Sequence, residues 1–160
     1  MISFENAFGY GQHSLAGISG VAIFVENLSN ELSNKEMFLP EIEQSLSDKF
    51  KNSGIKVYKK SEWINRAGGA YIKIKIISSK NIEKDNYAIY LNFEFYRTVM
   101  LMSNMLGENK LSTAETWSSG KLMSCEQKSI NSCIYGGISE LSDIFIEQYL
   151  TINELKPEKK

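Results

Sequence analysis

The segment Tyr87–Leu101, YAIYLNFEFYRTVML, constrains the fold more than any other. Ile89, Leu91, Phe93 and Phe95 fall on one side of it; Tyr90, Asn92, Glu94 and Tyr96 fall on the other. Alternation with a period of two is the pattern of a strand with one buried face. Such a strand needs hydrogen-bonding neighbours and a cover over its apolar side. The remaining segments have to supply both.

Val21–Val25 is a continuous apolar run bounded by Gly20 and Glu26, as in a central strand buried on both faces. Leu28 to Met37 is polar and turn-like. Leu39-Pro40-Glu41 then opens a helix of about residues 40–52: Pro40 suits the first turn, and Glu41 and Glu43 favour the positive end of the dipole. Ile42, Leu46 and Phe50 form its apolar stripe, Lys49 and Lys51 close it, and Gly54 follows it. Ile55–Tyr58 reads as a short strand, so strand, helix and strand form a right-handed parallel crossover. Tyr71–Ile76 alternates strictly, with Ile72, Ile74 and Ile76 inward and Lys73 and Lys75 outward. A turn over Asn81–Asn86 pairs it with the segment from Tyr87 as a hairpin. After a turn over Ser103–Lys110, Leu111–Lys121 is a further strand with a kink or end at Ser118-Ser119-Gly120.

The last helix spans about Lys128–Ile152 and places Ile130, Cys133 or Ile134, Ile138, Leu141, Phe145 and Tyr149 on one face. Gly136-Gly137 either permits close approach to the sheet or breaks the helix in two. The pattern predicts an α+β fold in the order β-α-β-β-β-β-α: a mixed, mostly antiparallel five-stranded sheet with two helices packed on one face. Residues 18–153 form this single domain, residues 1–17 an irregular lead-in and residues 154–160 a charged tail. A chain of 160 residues is long enough to bury a core without metals or disulfides.

Chemistry is harder to find. His13 is the only imidazole, and it lies in a glycine-rich arm. No G-x-S-x-G elbow, no G-x-G-x-x-G after a strand and no P-loop occurs, so no catalytic set and no cofactor is predicted. Glu94 is expected to make an ordinary surface ion pair beside Arg97, with Glu115 on the next strand. Two cysteines and one histidine cannot build a four-ligand zinc site. Cys125 and Cys133 could close a disulfide across a short loop or serve as two small buried hydrophobes.

Charge is unevenly spread. Residues 49–84 carry ten basic and two acidic side chains, while the whole chain sums to −1. With Tyr58, Trp63 and Tyr71 interleaved, this segment resembles the composition of a surface for single-stranded nucleic acid or another polyanion. No RNP, KH or helix-turn-helix signature accompanies it, which weighs against nucleic acid. No apolar run reaches the ~18 residues of a spanning helix. The first residues lack the basic and apolar regions of a signal peptide, which fits a cytoplasmic protein or an exported one without its leader.

Several stretches resemble a group of uncharacterised exported bacterial proteins. They are GISGVAIFVENLS from Gly17, the helix ending in Gly54-Ile55-Lys56-Val57, Thr116-Trp117-Ser118-Ser119-Gly120 as a Thr-Trp-Ser-x-Gly motif, and Asp143–Leu150 as Asp-x-Phe-Ile-x-x-Tyr-Leu. The order of elements is also similar to the amino-terminal domain of TolB and related small envelope domains. The resemblance implies export to the periplasm and a binding or assembly role rather than catalysis; it supplies no catalytic residues. The expected function is therefore a non-enzymatic envelope domain working through protein contacts, with a cytoplasmic polyanion binder as the alternative. The outer face of the long strand and its neighbour, with Lys73, Lys75, Tyr90, Asn92, Glu94 and Tyr96, is the expected site for a protein partner or a second copy.

Overall fold

The computed structural model describes residues 12–27, 32, 39–65, 68–81, 85–102 and 109–153. Arg66, Lys84, residues 103–108 of the turn expected over Ser103–Lys110, the tail from 154, the lead-in before Gln12 and, apart from Leu32, the turn at 28–37 lie outside them; Asn109 and Lys110, expected in that turn, belong to the last strand. Among the described residues four strands form one sheet in the order β1 (Gly20–Asn27), β2 (Gly69–Asn81), β3 (Asn86–Met102) and β4 (Asn109–Glu126). β1 and β2 are parallel, and the other pairs are antiparallel. Two helices, α1 (Leu39–Asn52) and α2 (Ile130–Ile152), pack on one face.

The sheet has four strands where five were expected. Ile55–Tyr58 reaches β1 through a single parallel bridge, Val21 to Val57, with Val21 N–H donating to Lys56 O at 2.9 Å and Tyr58 N–H to Val21 O at 2.8 Å. The chain leaves β1 again at once, because Lys59–Asn65 folds back in turns that carry Trp63 across the sheet. β1 is therefore not a central strand buried on both faces: Phe24 points away from the helices and is only half-buried.

α1 ends as its sequence demands. Gly54 has φ +82°, Ile55 N–H donates to Phe50 O at 2.9 Å and Gly54 N–H to Lys51 O at 3.0 Å. This is a Schellman closure, with the buried Ile55 and Phe50 as its apolar contact. α2 begins after a 3-10 turn, Gln127–Ser129, without a side-chain cap. Cys133 in its first turns is bonded to Cys125 near the end of β4. The lead-in also contributes: Gln12–Leu15 forms a 3-10 turn and Leu15 is fully buried.

α2 runs unbroken through both glycines, which do different jobs. A Cβ on Gly137 would lie 2.6 Å from Leu91 Cδ1 and 2.7 Å from Met123 Sδ, whereas one on Gly136 would meet nothing within 4 Å. Gly136→Ala should therefore raise stability by about 1 kcal/mol through helix propensity. Gly137→Ala gains the same propensity but must push aside the side-chain ends of Leu91 and Met123, so it should gain less than Gly136→Ala. The urea midpoint should rise for Gly136→Ala and rise less, or not at all, for Gly137→Ala; an equal rise for both would remove the close-approach assignment.

Candidate functional site: the uncovered sheet face

The strand register arranges the outward side chains in rows. Tyr71 lies beside Tyr96 and Glu115; Phe24 beside Lys73, Glu94 and Ser118; Glu26 beside Lys75, Asn92 and Gly120; Ile77 beside Tyr90 and Leu122. All six residues expected on this face, Lys73, Lys75, Tyr90, Asn92, Glu94 and Tyr96, are on it.

Glu94 is the centre, and it is not a surface ion pair with Arg97. Its residue exposure is 3%. Oε1 accepts from Lys75 Nζ at 2.7 Å and from Asn92 Nδ2 at 2.7 Å; Oε2 accepts from the Tyr96 hydroxyl at 2.8 Å. Arg97 alternates to the other side of β3, where its guanidinium donates to Ser14 O at 2.7 Å and Ala16 O at 3.3 Å. Donors occupy both carboxylate oxygens, one of them cationic, which offsets the cost of burying the group. The hydrogen bond that Lys75 donates to Glu94 raises the Lys75 pKa above its usual value, against a smaller opposing effect of burial. Burial, reinforced by the bond to Glu94, pushes the Tyr96 hydroxyl well above its ordinary range.

An aromatic strip borders this network. Tyr71 and Tyr96 stack with centroids 4.7 Å apart and planes 3° from parallel. Trp63 lies 4.7 Å from Tyr71 on its other side, and Phe24 meets Tyr71 edge-on at 5.4 Å. Lys60 Nζ sits 5.2 Å over the Phe24 ring and pairs with Glu43 at 2.5 Å. Sequence reading missed Phe24 and Trp63 here: Phe24 hides in an all-apolar run, and Trp63 reaches the face only through the fold-back of its turn. Tyr90 leans over Gly120, where a Cβ would meet its hydroxyl oxygen at 2.4 Å. The glycine of the Thr-Trp-Ser-x-Gly motif thus seats a tyrosine ring. Its Trp117 points the opposite way, buried against Phe93 and Phe145, and donates from Nε1 to Gln148 at 2.7 Å.

The basic segment does not form one patch. Lys49 lies on the helical side, paired with Asp143 at 2.8 Å; Lys73 pairs with Glu26 at 3.1 Å, Lys75 with Glu94, and Lys80 with Asp85 at 3.4 Å. Among the described residues no group of three or more His, Cys, Asp or Glu could hold a metal ion. An open hollow of about 1050 Å³ lies at the end of the sheet between Asp85–Asn86 and the start of α2, lined by Glu126–Ser132. Among these residues, too, no helix is long and apolar enough to cross a membrane.

No protein-family model and no curated protein sequence matches the chain. Among solved structures it is similar to a variant of the PelC dodecamer from Paraburkholderia phytofirmans, at 12% identity and a TM-score of 0.47, covering 78% of this chain and 85% of that one. A second PelC dodecamer structure from the same organism gives 13% identity and a TM-score of 0.39, covering 85% and 89%. These are structures of PelC, not of TolB, and overlaps of this quality transfer neither fold details nor function to the present chain.

Proposed function

We propose that this chain is a non-enzymatic domain of the bacterial envelope that works through protein contacts made by its outer sheet face. One observation carries the reading. Of the six large apolar side chains exposed among the described residues, five lie on that face: Ile77, Tyr90, Met100, Leu111 and Leu122, from 39% exposed for Tyr90 to 73% for Leu122. Concentration of apolar surface on one uncovered side is the mark of an interaction site. Rigid tyrosine and tryptophan rings beside it supply contact area at low entropic cost.

The saturated Glu94 network supports a scaffolding role: both oxygens of this carboxylate are committed to neighbours. The Cys125–Cys133 bond supports an oxidising compartment. The polyanion alternative draws less support, because Lys73 and Lys75 already hold carboxylates. In its native cells the protein should carry these two cysteines oxidised, as read by thiol trapping, and a photo-crosslinking residue replacing Tyr90 should give a discrete protein adduct while one replacing Asp48, on the helical side, should not. Reduced thiols would end the envelope assignment, and equal labelling from both positions would end the outer-face assignment.

A further inference from the structure

We infer that the Cys125–Cys133 bond is a redox lock on the start of α2: once a dithiol reduces it, Gln127–Tyr135 opens at Gly136-Gly137 while the rest of the chain stays folded. The lock is independent of the outer-face reading above. It follows from how unevenly α2 is held. The second half is tied to α1, β4 and the lead-in. Lys49 reaches Ser139 O and Oγ at 2.9 Å and Asp143 at 2.8 Å, Lys121 pairs with Glu140, and Trp117 Nε1 donates to Gln148 at 2.7 Å. Asn153, which closes the helix, holds Gly17 N–H at 3.1 Å and Leu15 O at 3.0 Å. Gln127–Tyr135 is held differently. Among the described residues, its hydrogen bonds beyond its immediate chain neighbours are Gln127 N–H to Asp85 O at 3.4 Å and the Tyr135 hydroxyl to Glu41 at 3.5 Å, both at the weak limit. α2 begins there with no side-chain cap and no acidic residue in its first turn. Gln127 Oε1 is buried without a hydrogen-bond partner, a cost that opening removes. What fixes the segment is the burial of Ile130 and Ile134 and the disulfide. Gly136 marks its boundary: a Cβ there would meet nothing within 4 Å, so the helix is weakened at this point with no packing in return.

The chemistry is thiol–disulfide exchange. Cys125 is buried opposite Tyr87 on the long hairpin, whereas Cys133 is partly exposed. A thiolate of the dithiol attacks Cys133 Sγ; a mixed disulfide forms as the S–S bond breaks, and Cys125 leaves as a thiolate that takes up a proton. The second thiolate of the dithiol then displaces Cys133, which is protonated in turn. The reductant ends as a disulfide and the chain as two thiols. While the bond is intact, an opened Gln127–Tyr135 remains a loop closed between cysteines eight residues apart and gains little freedom. Reduction releases that entropy, and opening becomes on the order of 50-fold more frequent. Opening withdraws Ile130 and Ile134 from the core cluster they share with Tyr87 and Ile89, so the reduced chain presents apolar surface that the oxidised chain keeps covered.

Digestion of the native protein with a lysine-specific protease, with and without dithiothreitol as the dithiol, reads the opening at Lys128, whose side chain is 85% exposed at the start of the segment. Cutting after Lys128 should be on the order of 50-fold faster in the reduced chain, with Lys49 and Lys51 on α1 and Lys73 on β2 left uncut. Cys133→Ser should be cut at the reduced rate whether or not the dithiol is present. Gly136→Ala, which strengthens the helix across the boundary, should slow the cut in the reduced chain about fivefold. Equal cutting at Lys128 in both redox states would overturn the lock. So would cutting at Lys49, Lys51 and Lys73 together with Lys128, because the whole chain would then be unfolding. A reduced Gly136→Ala chain cut as fast as wild type would overturn the boundary at the glycines.

Discussion

Phe145→Ala is expected to cost about 3–5 kcal/mol. Phe145 is fully buried on α2, and its ring is the hub of the core. Centroids lie at 5.5 Å from Phe50 on α1, 6.1 and 5.8 Å from Phe93 and Phe95 on β3, 5.3 Å from Trp117 on β4 and 6.2 Å from Tyr149 one turn on. It therefore joins both helices to the two strands of the long hairpin. Truncation leaves a cavity walled by aromatic rings, which are rigid and cannot collapse into it, so the cost should fall at the upper end for its class. Phe145→Leu keeps most of the volume and should cost less, about 1–2 kcal/mol. Urea denaturation at neutral pH checks both: the midpoint should fall in that order with an unchanged slope, since the surface exposed on unfolding is nearly the same. A loss below about 1 kcal/mol for the alanine variant would mean that the helices are not packed on the sheet as described.

The features legible in the sequence are those written in local periodicity. The alternation of Tyr87–Tyr96, the Ile42/Leu46/Phe50 stripe and the Gly54 terminus each follow from residues within one turn or one pleat, and the structure has each in place. The two-helix cover on one face follows from those stripes. What failed depended on contacts between distant segments. Ile55–Tyr58 has strand composition, but whether it pairs along its length or at one bridge is decided by the fold-back at Lys59–Asn65. β4 was harder still. A bulge opposite Phe95 and Tyr96 inserts Thr116 as an extra residue, so Glu115 points outward while Trp117, two residues on, points into the core. A strict period of two places them on one side; only the register against β3 reveals the switch. β4 also runs straight through Ser118-Ser119-Gly120 to Glu126, with Gly120 opposite Asn92 and beneath the Tyr90 ring rather than at a strand end. The candidate face itself was legible, since parity assigns Tyr90, Asn92, Glu94 and Tyr96 to it. The burial of Glu94 was not: a glutamate beside an arginine in sequence has no local mark that its partner is Lys75 on the neighbouring strand.

Glu94→Gln is expected to cost about 2–3 kcal/mol at neutral pH and to change how stability depends on alkali. The side chain keeps its size, and its amide oxygen can keep Lys75 and Asn92 while its NH2 turns to the Tyr96 hydroxyl, which can accept as well as donate. The main loss is the charge that held the ammonium. The Lys75 side chain, at 27% exposed, retains some access to water, which keeps the cost below that of stranding a fully buried ion. The pH effect has a definite sign. Lys75 and Tyr96 both have pKa values raised above their unfolded values of 10.5 and 10.0, so the folded protein holds their protons more tightly than the unfolded chain does. Their contribution is complete below about pH 10 and is lost as pH rises through the raised folded values. Wild-type urea midpoints should hold level to about pH 9–10 and then fall. In Glu94→Gln the chief cause of the Lys75 shift is removed, while Tyr96 keeps the part that comes from burial. The variant should start lower and decline less steeply above about pH 10, so the two curves converge. Parallel curves would show that Glu94 is not the group that ties these two protons to the fold.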